Sequence, residues 1–254
     1  MSQQLAGRVA LVTGAASGMG RAHVELMAAR GAHVIVCDLA GDAAETVAAG
    51  IRAAGGKADA LAADVARPSE FAAVAADAER HAGRIDILVN NAGISGMQMR
   101  FESIDEATFD RMIAVHVKGS FFATQAVVPG MKARRYGKII NISSNFAMKG
   151  SVTASHYTAA KSALLGLTKA WALEFAPWNI CVNAVAPGLV KTPLTRRSIG
   201  ADENFERHAA GLPFKRLAEP REVAMAVAFL ASSDSDFITG QTLSPAGGDP
   251  VVGI

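Results

Sequence analysis

The feature that most constrains this chain is an alternation: short runs rich in Val and Ile recur between longer stretches of helical composition along nearly its whole length. Strands separated by helix-length connectors must be joined by crossovers, so the pattern specifies βαβ units and a parallel sheet with helices on both faces. The strand-like runs are Arg8 to Thr13, His33 to Asp38, Lys57 to Asp64, Ile85 to Asn90, Lys138 to Ser143, Ile180 to Val185 and a short last one near Gln241 to Ser244. Helices are expected over Met19 to Ala29, Asp42 to Ala54, Ser69 to His81, Ala107 to Arg134, Ser155 to Phe175 and Arg221 to Ala231. Gly31 stops the first of these, and Pro68 and Pro220 suit helix starts. The reading is an α/β fold, a three-layer doubly wound parallel sheet of about seven strands. No linker or repeat interrupts the alternation, so residues 1–254 are read as one domain. Leu189 to Leu217 is the exception, polar and long for a connection, which is the profile of a substrate-binding lid.

Composition narrows the function. Hydrophobic residues make up 50% and charged residues 19%, which excludes a disordered, collagenous or coiled-coil chain. Lys plus Arg number 25 against 23 Asp plus Glu, without basic runs, so nucleic acid is not an expected partner. Two cysteines, Cys37 and Cys181, give no disulfide scaffold and fit a reducing compartment. The six histidines show no metal-ligand spacing, and no metal is expected. Neither a secretory leader pattern nor an apolar run near ~18 residues is present, so the expectation is a soluble cytoplasmic protein away from membranes.

Between the first strand and the first helix lies Thr13-Gly14-Ala15-Ala16-Ser17-Gly18-Met19-Gly20. Glycines in a strand-turn-helix context allow a tight turn and close backbone approach to a pyrophosphate, and the N–H groups of the helix start favour its charge. Asp38 ends the second strand, where a carboxylate can accept both ribose hydroxyls of NAD and would repel the 2′-phosphate of NADP. The alternative is that the glycines only shape a turn and Asp38 only caps a strand.

Tyr157 and Lys161 are four residues apart, on one face of the helix that begins near Ser155. Ser144 follows the strand ending at Ser143, at the carboxyl edge of the sheet where doubly wound folds bind ligands. A phenol beside an ammonium and a hydroxyl suits removal of an alcohol proton while hydride leaves the same carbon. Tyr157 as base needs its pKa lowered from about 10 by roughly three units, or about 4 kcal/mol. A lysine charge at about 4 Å and an effective dielectric near 20 would supply that amount.

In these motifs the chain resembles the short-chain dehydrogenase/reductase family, from Gly7 to Gly248. The matching segments, in order, are Thr13 to Gly20, Asp64-Val65, Asn90-Asn91-Ala92-Gly93, Ser144, Tyr157 with Lys161, and Pro187-Gly188 followed by Thr192. The resemblance implies strand order 3-2-1-4-5-6-7, a nicotinamide cofactor, which Asp38 makes NAD, a small-molecule alcohol or ketone substrate, and a homotetramer. It implies cofactor contacts from Gly14, Ser17, Gly18, Met19, Gly20, Asp38 and Leu39. It places Asp64 and Val65 at the adenine and Asn91, Ala92 and Gly93 at the adenosine ribose. Pro187, Gly188, Val190 and Thr192 fall at the nicotinamide end, with Tyr157 and Lys161 also touching the cofactor. Ser144, Tyr157, Lys161 and His116 are then the catalytic candidates.

His116 departs from the family pattern. The segment His116-Val117-Lys118-Gly119 stands where relatives carry Asn-Val-x-Gly, so imidazole replaces an amide that holds a relay water. It either serves the relay, with altered pH dependence, or fills the same space. Smaller departures are Cys181, where Arg is common, and Ser244-Pro245-Ala246-Gly247-Gly248, where an Asp usually precedes the glycine pair. His156 is expected at the surface or pocket rim, about 100° around the helix from Tyr157. Met97, Met99, Phe101, Phe146 and Met148 are candidates for a substrate pocket or for packing, and Trp171 and Phe175 for packing or a subunit interface. The leading function is an NAD-dependent dehydrogenase of a secondary alcohol. The alternatives are an NADPH-dependent 3-oxoacyl thioester reductase and a non-catalytic dinucleotide sensor.

Overall fold

The computed structural model describes residues 3–96, 98–200 and 202–251, with only the backbone of 202 and 203. In chain order it runs β1 (Val9–Thr13), α1 (Gly18–Ala29), β2 (His33–Asp38), α2 (Gly41–Ala53), β3 (Lys57–Ala62), α3 (Pro68–Ala82) and β4 (Ile87–Asn90). The second half continues with α4 (Glu106–Ile113), α5 (Gly119–Arg134), β5 (Gly137–Ile142), α6 (Phe146–Lys149), α7 (Ser155–Phe175), β6 (Ile180–Val185), α8 (Pro193–Ile199), α9 (Asp202–Gly211), α10 (Pro220–Ala231) and β7 (Thr242–Leu243). The sheet order is β3-β2-β1-β4-β5-β6-β7, and every pairing is parallel.

Burial explains which strands read most clearly in the sequence. Every residue of β1, β4, β5 and β6 is buried, as a parallel sheet covered on both faces requires. The outer strands β3 and β7 are partly or wholly exposed. Side chains alternate along β1: Ala10 and Val12 join a core with Val24, Met27 and Val227 from α1 and α10. Val9 and Leu11 face the other way, onto Phe71, Val127 and Trp171 from α3, α5 and α7. Trp171 and Phe175 stack 6.5 Å apart inside that second core, which makes them packing residues of the subunit itself.

Two expectations need correction. The helix read over Ala107 to Arg134 is three pieces, because a π turn at Ala114–Lys118 separates α4 from α5 and carries His116. The lid segment, read without any helix, holds α8 and α9, and its ends are pinned together where Lys191 N donates to Ala218 O and Ala218 N to Leu189 O, at 2.9 and 3.0 Å. Short polar helices leave no long apolar period to read.

Candidate active site

The parallel topology brings the ends of β1, β2, β4, β5 and β6 to one edge, and the order reverses direction between β1 and β4. A crevice must open there, since the connections leave toward opposite faces. It is a cavity of about 510 Å3 running from Asp38 to Lys161.

Its phosphate end is built from main chain. Gly14 has φ +63°, and a Cβ on it would lie 2.8 Å from Ala92 Cα; a Cβ on Gly20 would lie 2.1 Å from Gly14 O. Only glycine fits either place. The turn is stitched to the end of β4: the Asn91 amide donates to Thr13 O and Gly14 O at 2.9 and 3.0 Å. The Thr13 hydroxyl accepts from Asn91 N and Ala92 N at 3.1 and 3.0 Å. Asp38 accepts from Ala16 N at 3.0 Å and from Ala40 N at 3.1 Å, so it fastens the turn as well as lining the cavity. Ser17, Gly18, Met19, Leu39, Asp64, Val65 and Gly93 line the same space, with Leu39 exposed at the rim. This cradle fits a nicotinamide dinucleotide: bare backbone where side chains would collide, and a carboxylate at the end of β2.

The other end is built from side chains. Tyr157 and Lys161 project from α7, with Lys161 Nζ 5.7 Å from the Tyr157 ring centre and donating to Ile142 O at 2.7 Å. Ser144 lies buried beyond β5, where its Oγ accepts from Phe146 N at 3.1 Å and donates to Asn145 Oδ1 at 3.3 Å. Burial pushes the Tyr157 phenol up to about 12, opposed by its hydrogen bond with Ser144. Burial also lowers Lys161 to about 7. The sequence argument relies on the Lys161 charge, helped by that of an oxidised nicotinamide, to lower Tyr157; in the protein burial raises the phenol, the Ser144 hydrogen bond opposes it, and burial lowers Lys161 as well.

His116 is buried against the same ring, edge-on at 5.5 Å. Its Nε2 lies 3.0 Å from both Ile94 N and Ile94 O, and Nδ1 has no hydrogen-bond partner. Burial, then the Lys161 charge, holds its pKa well below the usual imidazole range. His156 is not at a rim: it is buried, neither ring nitrogen is hydrogen-bonded, and it packs so closely that a Cβ on Gly96 would lie 2.8 Å from its Nε2. The cause is that α7 packs against the segment after β4 and against Met112 of α4.

A smaller cavity of about 80 Å3 adjoins, lined by Ser144, Pro187, Gly188, Val190 and Leu189, and sharing Met19, Tyr157 and Thr192 with the larger one or its mouth. Phe146 lines it and stands edge-on to Tyr157 at 6.3 Å. Met99, Phe101 and Met148 line neither cavity, and Met97 lies outside the described residues. Sequence reasoning misses the contacts that close the site. Ser198 Oγ on α8 lies 2.5 Å from Ser95 Oγ. The chain end is tied to the Ser144 loop where Asn145 Nδ2 donates to Asp249 O at 3.0 Å and Lys149 Nζ lies 2.6 Å from Asp249 Oδ1. Among the described residues no group of His, Cys, Asp and Glu is arranged to hold a metal.

Comparison with known proteins agrees with this geometry. Residues 14–248 match the family model described as enoyl-(acyl carrier protein) reductase. The chain is 38% identical over 245 residues to the 3-oxoacyl-(acyl-carrier-protein) reductase FabG of Thermotoga maritima, covering 96% of this chain and 98% of that one. It is 40% identical over 248 residues to cis-4-hydroxycyclohexanecarboxylate dehydrogenase of Sinomonas cyclohexanicum, covering 98% of each. The crystal structure of a 3-ketoacyl-(acyl-carrier-protein) reductase from Brucella melitensis complexed with NADH superposes with a TM-score of 0.89 at 35% identity, over 96% of this chain and 99% of that one.

Proposed function

The chain belongs to the short-chain dehydrogenase/reductase family of oxidoreductases acting on CH–OH groups, and we propose that it is an NAD-dependent dehydrogenase interconverting a secondary alcohol and a ketone. The observation that carries the cofactor choice is Asp38. Two backbone N–H bonds occupy part of its capacity, and a carboxylate offers about four lone-pair sites. It can still accept ribose hydroxyls, whereas a 2′-phosphate would meet like charge.

The dinucleotide, when bound, supplies the hydride acceptor or donor. Tyr157 takes the hydroxyl proton of the alcohol and returns it to the ketone in reverse. Ser144 donates to the substrate oxygen and fixes its distance from Tyr157. Lys161 stabilises the phenolate and holds the nicotinamide ribose. His116 faces the Tyr157 ring with an unpartnered Nδ1, where an amide stands in relatives, and passes protons between a relay water and Lys161. Val190 and Thr192 support the nicotinamide end, and the small cavity beside Ser144 receives the alcohol.

Exposed apolar side chains in two parts of the chain support a homotetramer: Phe121 on α5 and Leu173 on α7, and Phe237 and Leu243 at and just before β7. Two distinct interfaces are what a dimer of dimers needs. Two buried free cysteines support a cytoplasmic location. Among the described residues no helix is long and apolar enough to cross a membrane.

The alternative is a 3-oxoacyl thioester reductase using NADPH, and the similarity to 3-oxoacyl-(acyl-carrier-protein) reductases favours its substrate class. Steady-state reduction of NAD and NADP over a panel of secondary alcohols separates the two. The expected result is turnover with kcat/KM at least tenfold higher for NAD. Preference for NADP, with turnover of a 3-oxoacyl thioester by NADPH, would replace the first reading by the second.

A further inference from the structure

The helix α8 crosses the dinucleotide cavity like a bar. At its start Thr192 lies against the glycine turn, so that a Cβ on Gly18 would sit 3.4 Å from Thr192 Cβ. Near its end Ser198 bonds Ser95 on the opposite lip, at 2.5 Å. Between these supports Pro193, Leu194 and Arg197 line the large cavity, as residues about one turn apart on one helix face do. Arg196 turns outward, its guanidinium 5.7 Å from the Phe205 ring.

Arg197 is exposed and stands in no ion pair among the described residues. The other charged groups along the large cavity are already engaged. Lys161 is buried and bonded to Ile142 O, Asp38 holds the glycine turn, and Arg111 lies 3.9 Å from Asp64. The helix also divides its faces between the two cavities. Leu194, Thr195 and Ser198 line the small one beside Ser144, and Arg197 lines only the large one.

Resting on the dinucleotide reading, we propose that Arg197 grips the pyrophosphate of the cofactor from the lid side, opposite the N–H groups of the glycine turn. A guanidinium matches phosphate oxygens with two parallel donors, and a pyrophosphate walled by backbone on one side leaves its outer oxygens toward α8. Arg197 then adds a third support to α8 beside Thr192 and Ser198, holding in place the helix whose Leu194, Thr195 and Ser198 line the small cavity beside Ser144.

The test is titration of wild type, Arg197→Met and Arg197→Lys with NADH, ADP-ribose and adenosine, without substrate, by fluorescence or calorimetry. The expected result is a roughly tenfold weaker Kd for NADH and ADP-ribose in Arg197→Met, partial recovery in Arg197→Lys, and unchanged adenosine binding. Affinity of the Met variant should also fall less steeply with salt than that of wild type. Equal NADH affinity and equal salt dependence in wild type and Arg197→Met overturn the proposal. Wild type that binds none of the three probes would overturn the dinucleotide reading itself, and this inference with it.

Discussion

The two ends of the long cavity are made of different material. At the glycine turn the walls are main chain, fixed by Asn91, Thr13 and Asp38 bonding to backbone groups at 2.9 to 3.1 Å. At the Tyr157 end they are side chains, several desolvated and one of them, His116, a histidine with an unpartnered Nδ1. A backbone wall recognises a ligand part common to many reactions and depends on glycines at set positions. A side-chain wall carries protons and discriminates substrates, and depends on burial to set its pKa values.

If the ends are separable, each can be damaged alone. Tyr157→Phe removes one hydroxyl at the side-chain end, and kcat should fall about a thousandfold while the Kd for NADH stays within twofold of wild type. Stopped-flow binding beside steady-state assays reads both, and retention of most of kcat would end the case for Tyr157 as base. Gly14→Ala is the converse. It puts a side chain at φ +63° and 2.8 Å from Ala92 Cα, so NADH affinity should fall roughly 10- to 100-fold. The pH dependence of the residual turnover should not move, because Tyr157 and Lys161 keep their surroundings. A shifted pH profile in Gly14→Ala would show the ends to be coupled.

The same division decides what is legible in the sequence. Fully buried parallel strands read as apolar runs, so the sheet is visible while its order comes from the family resemblance, and the glycine cluster announces the backbone wall because no other residue fits there. Tyr157 and Lys161 are visible because helical spacing is local. The π turn at His116 is not, since an extra residue per turn leaves composition unchanged. His156 is misplaced for another reason: its angular position on α7 is readable, but not that the segment from Gly93 to Gly96 covers that face. Ser95 with Ser198, and Asn145 with Asp249, pair across about a hundred residues, and nothing short-range marks them.

The backbone end has its own weakness, which lies in α1 below the turn. His23 is completely buried with neither ring nitrogen hydrogen-bonded, and burial lowers its pKa to about 3 from 6.5. A depressed histidine binds its proton more readily in the unfolded chain. It therefore costs no stability above pH 6.5 and destabilises progressively as pH falls toward 3. At one unit below 6.5 the loss is about 1.4 kcal/mol. His23→Leu, of similar volume and without polar atoms, should raise the unfolding free energy at pH 5.5 by at least that amount and flatten its pH slope. Denaturant unfolding at pH 5.5 and 7.5 measures both, and an unchanged slope would mean that His23 is solvated in solution.

The smallest effect tests the bar that joins the two ends. Ser198→Ala deletes the hydroxyl that meets Ser95, a contact of about 1 kcal/mol, and leaves Arg197 and Thr192 in place. With the far support gone, α8 should spend more time away from the cavity, so NADH should dissociate roughly fivefold faster. The substrate KM should rise by a similar factor, because Leu194 and Thr195 travel with the helix. The chemical step should be unaffected once substrate is bound, since Tyr157, Lys161 and Ser144 touch no part of that bond. Stopped-flow release of NADH and single-turnover kinetics separate these steps. A slower chemical step with unchanged release would mean that α8 shapes the reacting geometry directly and that the lid belongs to the side-chain end rather than between the two.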